Sequence, residues 1–387
     1  MNDPVTNLGS VCAEHAHARL QPLQTFIQVA DYDALLARNG APTATTGCHT
    51  PHKGSIAAAV SSTLAALEGA EAALLNSSGK DTLSVCLLTL LRSGDHIIAQ
   101  RNHSPETKNF LTRVLPKVGV DVTLVDHRDT DAFRAAITPA TTLIVLEAPR
   151  YPCFDITDLA AVSSLAREHG VLTLCDNTAA TPLVQMPIAL DIDLVVYRSS
   201  RYISGYLDTR VGIVAGSRTL VERVRAKSMN LGSADLPDAW LLLRGIQTLR
   251  DRVEQRCRNA YAMASFLEEH PKIERVFYPG NEDHPQRSLV LRQMDAFGGS
   301  LSFNLVGGHN AAERFVGALK LSSTCIGHSA DALRVASPSY PIECSEAPFE
   351  FDIDDELGVD EGLVCMEVGV GETDRLLTRI EQALRHA

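Results

Sequence analysis

Two arginines, Arg198 and Arg201, follow an apolar run in the segment VVYRSSRYISGYLD. Each guanidinium is a permanent cation whose planar fork matches the oxygens of a carboxylate or a phosphate. The pair therefore predicts a site that binds an anionic group. A guanidinium is not an amine nucleophile, and it does not give up its proton near neutral pH. Chemistry that needs a reactive amine is excluded at both positions.

A second candidate anion site lies in LLNSSGKDT, where an apolar segment runs into a predicted helix. Free backbone N–H groups at a helix start bind anions, so Ser78 and Gly79 are candidate phosphate ligands, and Lys80 adds a positive charge. A P-loop is excluded because Leu74 stands at its first glycine and Asp81 at its Ser or Thr. A plain helix cap remains the open alternative.

A carboxylate, Asp176, comes directly after the apolar run VLTLC. A carboxylate buried at that point needs a cation or N–H donors as partners. Pairing with the ring nitrogen of a pyridinium would satisfy it and would keep that ring protonated as an electron sink. Capping of the next turn by the Asp side chain is the alternative, and this residue alone does not decide between the two.

The elements that must position these residues are short apolar strands that alternate with helical stretches. The predicted strands are HIIAQ, VTLVD, TLIVLEAP, VLTLCD, DLVVY and VGIVAG. Strand and helix in alternation predict an α/β fold with a doubly wound, mostly parallel sheet. Ligands of such sheets bind beyond the carboxyl ends of the strands. That rule brings residues 76–80, 147–151, 176–178 and 198–201 to one site.

We predict three parts of the chain. Residues 1–54 are polar and carry a stretch rich in Gly, Thr and Ala, which indicates an extended N-terminal arm. Residues 55–250 contain the alternating strands and helices and are predicted to form the large α/β domain. Residues 251–387 contain longer helices and a few alternating strands, such as GSLSFNLV, and are predicted to form a smaller C-terminal α+β domain.

The composition excludes several classes of protein. The net charge of −12 argues against a nucleic-acid partner held by its phosphates. No apolar run reaches the roughly 18 residues of a membrane span, and the N-terminus has no signal-peptide pattern, so we expect a cytoplasmic protein without a membrane segment. The nine cysteines contain no CxxC pair, which excludes a zinc ribbon, and we expect no metal.

Over nearly its whole length the chain resembles the Cys/Met-metabolism family of pyridoxal-phosphate enzymes, which includes the cystathionine synthases and lyases and the methionine γ-lyases. The matching stretches, in the family's own order, are LAALEGAEAALLNSSG, LRSGDHIIA, VLEAPRYP, CDNTAATP, LPDAWLLLRGIQTLRDRV, ERVFYPG and GLVCMEVGVGETDRLL. The resemblance implies the fold of the fold-type-I pyridoxal-phosphate transferases. It also implies pyridoxal phosphate as the cofactor.

The resemblance aligns the arginine segment with the family's Val-Val-His-Ser-x-Thr-Lys-Tyr motif, whose lysine forms the Schiff base with the cofactor. Arg201 stands at the position of this lysine and is therefore the residue expected at the catalytic position. Arg198 stands at a phosphate-binding serine, and Ser200 stands at the threonine that follows it. The residues expected to bind the cofactor are Ser78, Gly79, Lys80, Asp176, Arg198 and Ser200.

Other functional positions of the family also differ in this chain. A Tyr-x-Arg that reaches the phosphate from the neighbouring subunit falls on His49 and Pro51. The aromatic residue that stacks on the ring falls at His103 or the residue after it. The motif asparagine falls on Tyr151, and the arginine that binds the substrate carboxylate falls on Cys365. The resemblance therefore implies that His49, His103, Tyr151 and Cys365 lie on the substrate side of the site.

Three interpretations of the function are open. The first is a diverged homologue of transsulfuration enzymes that lacks the aldimine lysine and conventional lyase or synthase activity, and that binds an anionic ligand. The second is a pseudoenzyme subunit that pairs with an active paralogue. The third is an active amino-acid-processing enzyme, lyase-like or synthase-like at C–S or Cγ bonds, with noncovalently bound pyridoxal phosphate. The altered positions favour the first two.

All three interpretations imply a small amino-acid-like or anionic ligand. The family also implies a homodimer or a homotetramer in which the N-terminal arm lies against the neighbouring subunit. The second interpretation would replace this assembly with a hetero-oligomer.

Overall fold

The computed structural model describes residues 56–150, 152–205, 208–231, 236–319, 334–336 and 362–387. These residues fall into two compact units. The first runs to Glu147 and resumes over Thr157–Arg250, and the second comprises Ala148–Ile156 and the chain from Asp251 onward. The predicted arm, residues 1–54, lies outside the described residues.

Residues 148–156 belong to the second unit, whereas the sequence pattern placed them in the large domain. Their hydrogen bonds explain the difference. The Gln286 side chain donates to the carbonyl of Ile156 at 2.6 Å and accepts from its N–H at 2.8 Å. The Ser302 hydroxyl donates to the carbonyl of Pro152 at 2.8 Å. Partners this far away in the chain leave no trace in a local pattern.

The first unit alternates strands and helices along the chain. Its strands are β1 (Ala72–Asn76), β2 (His96–Gln100), β3 (Asp121–Val125), β4 (Thr141–Glu147), β5 (Leu172–Asp176), β6 (Leu194–Arg198) and β7 (Gly212–Gly216). Its helices are α1 (Ile56–Glu68), α2 (Gly79–Leu90), α3 (Pro105–Asn109), α4 (Thr130–Ala136), α5 (Leu159–Glu168), α6 (Arg218–Leu231) and α7 (Leu236–Gln247). None of the helices in the described ranges has the length and apolar character that a membrane crossing requires.

The seven strands form one sheet in the order β1-β7-β6-β5-β4-β2-β3. The pairs β2–β3, β2–β4, β4–β5 and β5–β6 are parallel, and β7 runs antiparallel to both β1 and β6. The predicted doubly wound, mostly parallel sheet is therefore confirmed. The reversed direction of β7 was not predicted, because an apolar run carries no information about its direction.

Both faces of the sheet are covered, which explains why the strands are continuous apolar runs. Strands β2 and β7 are buried at every position. Apolar side chains at alternate positions of β1, β2, β4, β5, β6 and β7 pack with helices α2 and α6 in one core. The residues between them, such as Ile98, Ile144 and Val195, are buried on the opposite face. A parallel sheet buried on both faces selects Val, Ile and Leu throughout.

A buried polar network fixes the loop that follows β5. The Tyr197 hydroxyl donates to the Glu68 carboxylate of α1 and accepts from the Asn177 side chain at 3.0 Å. Asn177 also donates to the carbonyl of Gln185 at 2.8 Å. Burial, together with the charge of Glu68, raises the pKa of Tyr197 well above its ordinary value, so its hydroxyl keeps its proton. The network holds the backbone next to Asp176 in one position.

The second unit contains a smaller antiparallel sheet and helices. Its strands are β8 (Ile273–Phe277), β9 (Ser300–Leu305), β10 (Arg334–Ala336) and β11 (Leu363–Glu367), in the order β10-β11-β9-β8. Its helices are α8 (Leu249–Glu268), α9 (Arg287–Gln293), α10 (Gly308–Ala318) and α11 (Thr373–Leu384). Every strand pair in this sheet is antiparallel. The predicted smaller α+β domain is confirmed.

Candidate functional site

Three ionisable side chains end neighbouring parallel strands of the large sheet. Glu147 ends β4, Asp176 ends β5 and Arg198 ends β6. Glu147 pairs with Asp176 in the strand register. Each of the three comes two residues after a member of the core that packs under α2 and α6, so all three side chains leave the same face of the sheet. The period of the strands therefore gathers two carboxylates and a guanidinium at one edge.

The Arg198 guanidinium is the centre of this cluster. Its Nη2 donates to Oγ of Ser104 at 2.8 Å and lies 3.6 Å from Oδ2 of Asp176. Its Nη1 donates to Oε2 of Glu106 at 3.2 Å. Ser104 and Glu106 lie in the segment that follows β2 and begins helix α3. One cation thus joins the carboxyl end of β5 to the segment that follows β2.

The start of helix α2 lies against the stem of Arg198. A side chain at Gly79 would collide with Cβ and Cγ of Arg198, so only glycine allows the two segments to approach so closely. Ser78 caps the helix by accepting from the N–H of Asp81 at 3.1 Å. The hydroxyls of Ser77 and Ser78 donate to Oδ2 of Asp81 at 2.9 and 2.7 Å. The first turn of the helix therefore already carries one carboxylate, which supports the helix-cap interpretation of this segment.

The Asp176 carboxylate is nearly enclosed, with a side-chain exposure of 8 %. The N–H and the hydroxyl of Thr178 both donate to its Oδ1, the N–H at 3.0 Å. Burial, and to a lesser degree the charge of Glu147, raises the pKa of Asp176, while Arg198 and Thr178 oppose that rise. The capping interpretation of Asp176 is correct for Oδ1. Its Oδ2 faces Arg198 at a distance longer than a hydrogen bond.

A backbone N–H holds the Glu147 carboxylate, and a histidine lies beside it. The N–H of Ser104 donates to its Oε2 at 2.9 Å, and Nδ1 of His103 lies 3.4 Å from the same oxygen. Burial is the largest single effect and raises the pKa of Glu147, but His103, Arg198 and Ser104 together outweigh it, so that the pKa is lowered. Glu147 is therefore ionised at neutral pH.

We expect the Glu147→Gln substitution to lower the free energy of unfolding by roughly 1–3 kcal/mol near neutral pH, because it removes a charged acceptor from buried donors. The folded-state pKa of Glu147 lies below its ordinary value of 4.5. Its stabilising effect is therefore complete above that value and is lost as the pH falls through the folded-state pKa. Urea unfolding of both proteins at about pH 7 and about pH 3.5 should show the difference shrinking at acid pH.

Glu222→Gln is the matched control, since Glu222 pairs with Arg225 at 3.1 Å on an exposed helix surface. The Glu222→Gln substitution should change the free energy of unfolding little at either pH. A difference between wild type and Glu147→Gln that grows towards acid pH would mean that the pKa of Glu147 is raised and not lowered.

Arg201 and Ser200 lie in the turn after β6. Burial lowers the pKa of Arg198, and repulsion from Arg201 lowers it further, although the carboxylates of Asp176, Glu147 and Glu106 raise it on balance. Arg201 is therefore an electrostatic neighbour of the cluster. The carbonyl of Ser200 accepts from the Ser204 hydroxyl at 3.1 Å, which stabilises this turn.

The structure brings together four of the predicted cofactor residues, namely Ser78, Gly79, Asp176 and Arg198. Lys80 lies in the first turn of α2, and its side chain is outside the described part of the chain. The roles of these residues in cofactor binding remain predictions.

Of the predicted substrate-side residues, His103 joins the cluster through Glu147. His49 and Tyr151 lie outside the described residues. Cys365 lies in β11 of the second unit, where it is buried in an apolar cluster that also contains Cys153. A substrate-side role for these residues stays a prediction.

Sequence reasoning missed Glu106, gave Thr178 no role, and named Ser104 only as the alternative to His103 at the ring-stacking position. A signal for the segment that holds Ser104 and Glu106 was present, because HIIAQ was predicted to be a parallel strand and ligands bind beyond the ends of such strands. Applying that rule to β2 as well would have pointed to the segment after Gln100. Thr178 lay in a predicted strand-end segment but received no role, because its contact with Asp176 depends on the turn conformation.

The sequence of the chain is similar to a known family of enzymes. The profile of the Cys/Met metabolism PLP-dependent enzyme family matches residues 50–385. An L-methionine gamma-lyase of Pseudomonas putida is 38% identical over 325 residues, which cover 83% of this chain and 81% of the relative. A cystathionine gamma-lyase of Bacillus subtilis is 35% identical over 322 residues, which cover 83% of this chain and 84% of the relative.

Two solved structures share the fold. The structure of metB from Corynebacterium glutamicum has a TM-score of 0.80 and 29% sequence identity, and 89% of each chain is covered. The structure of cystathionine gamma-lyase from Lactobacillus plantarum, complexed with L-serine, has a TM-score of 0.79 and 32% identity, and 86% of each chain is covered.

Proposed function

Since this chain belongs to the Cys/Met metabolism PLP-dependent enzyme family, we propose that it is an amino-acid-processing enzyme that binds pyridoxal phosphate (PLP) noncovalently. The observation that carries the proposal is the enclosed Asp176 carboxylate at the end of β5, whose pKa burial raises. Such a carboxylate is suited to a partner that brings its own positive charge. The two relatives are named as lyases, which favours an active enzyme over the inactive homologue that the altered positions suggested.

The residues at the ring-nitrogen end of the site fit PLP. Oδ1 of Asp176 is occupied by Thr178, and Oδ2 is 3.6 Å from Arg198, which leaves it able to accept from a protonated ring nitrogen. Bound PLP supplies an electron sink that stabilises negative charge on a substrate carbon. Asp176 would keep the ring nitrogen protonated, and the protonated ring is the form that withdraws electrons from the substrate.

The residues at the phosphate end fit only after a side-chain movement. The N-terminus of α2, with Ser78 and Gly79, offers the N–H groups and the partial positive charge that bind a phosphate. The stem of Arg198 now covers Gly79. Rotation of this side chain would open the helix start, and a guanidinium beside it is itself a phosphate ligand.

Arg201 accounts for the noncovalent binding. The match of VVYRSSRYISGY to the family motif gives Arg201 the position of the cofactor-binding lysine. A guanidinium stays protonated and cannot hold the cofactor covalently. We therefore expect PLP to be held only by charge and hydrogen bonds, from Asp176 at one end and from Ser78, Gly79, Ser200 and Arg198 at the other.

Proton transfer in such an enzyme needs a group other than Arg201. His103 is buried with its Nδ1 3.4 Å from Oε2 of Glu147, and neither of its ring nitrogens makes a hydrogen bond within the described residues. The Glu147 carboxylate next to Nδ1 favours the tautomer that carries its proton there, which leaves Nε2 free to accept a proton. We assign the proton transfer to His103, with Glu147 holding the ring.

The substrate class follows from the names of the relatives. L-methionine gamma-lyase and cystathionine gamma-lyase are named for amino acids with a sulfur atom on the side chain. We propose that this chain acts at a C–S or Cγ bond of an amino acid of this kind. We also propose a cytoplasmic homodimer or homotetramer.

The test of this proposal is a binding experiment followed by an assay. The protein is loaded with PLP, and its absorbance is recorded before and after exhaustive dialysis. Borohydride treatment and intact mass measurement then report any covalent bond. We expect PLP to bind, to be lost on dialysis and to leave no adduct at a site residue. Elimination from methionine, cystathionine and O-acetylhomoserine is then measured with PLP present. A protein that takes up no PLP at millimolar concentration would refute the proposal.

One observation favours a second candidate, a noncatalytic subunit that binds an anionic ligand. Arg198 lies between the start of α2 and Asp176, where it occupies space that a cofactor would need. A protein of this kind would bind inorganic phosphate but not PLP, and co-expression with an active relative would give a mixed oligomer. Titrating the protein with PLP and with inorganic phosphate therefore distinguishes the two candidates.

A further inference from the structure

Arg198 has two competing sets of partners. The structure pairs it with acidic and hydroxyl oxygens, whereas its place beside the start of α2 suits a phosphate. We infer that Arg198 competes with the cofactor ring for Asp176, and that it exchanges Asp176 and Glu106 for the phosphate when the cofactor binds. This inference rests on the proposed function and adds to it a residue, Glu106, that sets the affinity from outside the cofactor contacts.

The pairing without cofactor follows from the cost of burying charge. Asp176 is nearly enclosed, and an ionised carboxylate in that position needs a cation nearby. Arg198 supplies this cation, and Glu106 and Ser104 hold its other N–H groups at 3.2 and 2.8 Å. Together these contacts fix a side chain that would otherwise rotate at the mouth of the site.

A bound cofactor upsets this arrangement. A protonated ring nitrogen at Asp176 brings a second positive charge to a carboxylate that already faces one. The ring nitrogen and the Arg198 guanidinium would then lie on either side of one carboxylate oxygen, and two positive charges so close together repel each other strongly in a poorly hydrated site. The Arg198 side chain is 29 % exposed and contains several rotatable bonds, so its guanidinium is the group that can move.

The first side-chain atoms of Arg198 limit where its guanidinium can move. Cβ and Cγ of Arg198 lie on Gly79, beside the N–H groups of the first turn of α2. Rotation of the outer bonds would keep the guanidinium near that helix start, where the phosphate is expected.

The consequence concerns Glu106. This carboxylate holds Arg198 in the arrangement without cofactor, and the inference moves Arg198 away from it when the cofactor binds. Its charge therefore stabilises the empty site relative to the loaded one. A ligand that binds to Asp176 loses that stabilisation when it displaces Arg198. Removing the charge of Glu106 should therefore tighten binding of the ligand.

The experiment measures dissociation constants for pyridoxine phosphate and for pyridoxine. Neither probe has an aldehyde, so neither reacts with surface lysines, and the two differ only in the phosphate. Fluorescence titrations compare the wild type with Glu106→Gln and Arg198→Ser. The controls are Glu222→Gln, which breaks an exposed ion pair of 3.1 Å, and Arg167→Ser, which breaks an exposed pair with Asp191 of 2.8 Å.

We expect Glu106→Gln to bind both probes about two- to fivefold more tightly than the wild type, because it weakens the competing pair. We expect Arg198→Ser to bind pyridoxine phosphate at least about tenfold more weakly, because a charge-assisted contact is lost, and pyridoxine more tightly, because the competitor is gone. The two probes should thus respond to Arg198→Ser with opposite signs, while the controls change neither constant.

Several outcomes would overturn the inference. Tighter binding of both probes by Arg198→Ser would make Arg198 a competitor only, and weaker binding of both would make it a phosphate anchor only. Unchanged binding by Glu106→Gln would remove the role assigned to Glu106. In these cases wild-type binding of pyridoxine phosphate leaves the proposed function standing. If the wild type and every variant bind neither probe, the proposed function fails together with the inference.

Discussion

Asp176→Asn should weaken the binding of PLP by about ten- to a hundredfold. The neutral amide can still accept a hydrogen bond from Thr178, so the turn after β5 is expected to stay folded. What the substitution removes is a charge-assisted contact with the protonated ring nitrogen, worth about 1.5–3 kcal/mol, and each 1.36 kcal/mol is a factor of ten. Loss of the Asp176–Arg198 pair, whose atoms lie 3.6 Å apart, offsets only part of this, because the pair is longer than a hydrogen bond.

The measurement is a PLP titration followed by absorbance, with thermal unfolding of each protein as the folding check. Asp191→Asn is the control, because Asp191 pairs with Arg167 at 2.8 Å on the surface of the same unit. This control should bind PLP as the wild type does. Asp176→Asn binding within about twofold of the wild type would show that the ring nitrogen does not lie at Asp176.

The parts of this site that the sequence predicts are those that depend on local pattern. Apolar runs of Val, Ile and Leu identified strands, and the rule that ligands bind beyond the strand ends pointed to Asp176 and Arg198 before any relative was compared. The common face of the two side chains is seen only in the structure, because it depends on which faces of β5 and β6 pack into the same core.

The parts that the sequence did not predict depend on distant segments. The partners of Arg198 at Ser104 and Glu106 are 94 and 92 residues earlier in the chain. A guanidinium suits a carboxylate and a phosphate equally well, so residue type alone could not show which of them holds it in the protein without ligand. The place of residues 148–156 in the second unit also depends on distant partners, whereas the direction of β7 was not predicted because an apolar run does not show its direction.

The comparisons changed the balance between inactive and active interpretations. The substituted positions favoured an inactive homologue, because Arg201, His49 and Cys365 each replace a residue with a known role in the resembling family. Relatives at 35–38% identity over more than four-fifths of the chain are named as enzymes, which supports the active interpretation. What separates the interpretations experimentally is whether the site can use a cofactor that it does not hold covalently.

Arg201→Lys should give the protein a covalent bond to PLP without giving it the turnover of a conventional family member. A lysine supplies the amine that a guanidinium cannot. Borohydride treatment of the PLP-loaded variant should then leave one permanent adduct at position 201, absent from the wild type. Cofactor retention on dialysis should rise accordingly, because release now requires breaking a covalent bond.

Turnover needs more than that bond. The family's contacts to the substrate carboxylate and to the phosphate from a neighbouring subunit fall here on Cys365, His49 and Pro51, and none of these carries a guanidinium. Each missing charge-assisted contact is worth about 1.5–3 kcal/mol, which is about tenfold or more in rate when the contact is made in the transition state. The single lysine restores neither contact.

The assay is elimination from methionine, cystathionine and O-acetylhomoserine with added PLP, for the wild type, Arg201→Lys and the surface control Arg167→Lys. We expect turnover by Arg201→Lys to stay within about tenfold of the wild type despite the covalent bond. Arg167→Lys should show no adduct at position 167, because an exposed lysine lacks a site that holds the cofactor beside it. A rise of several orders of magnitude for Arg201→Lys would mean that the lysine was the one missing part, and that Cys365, His49 and Pro51 serve the reaction as they stand.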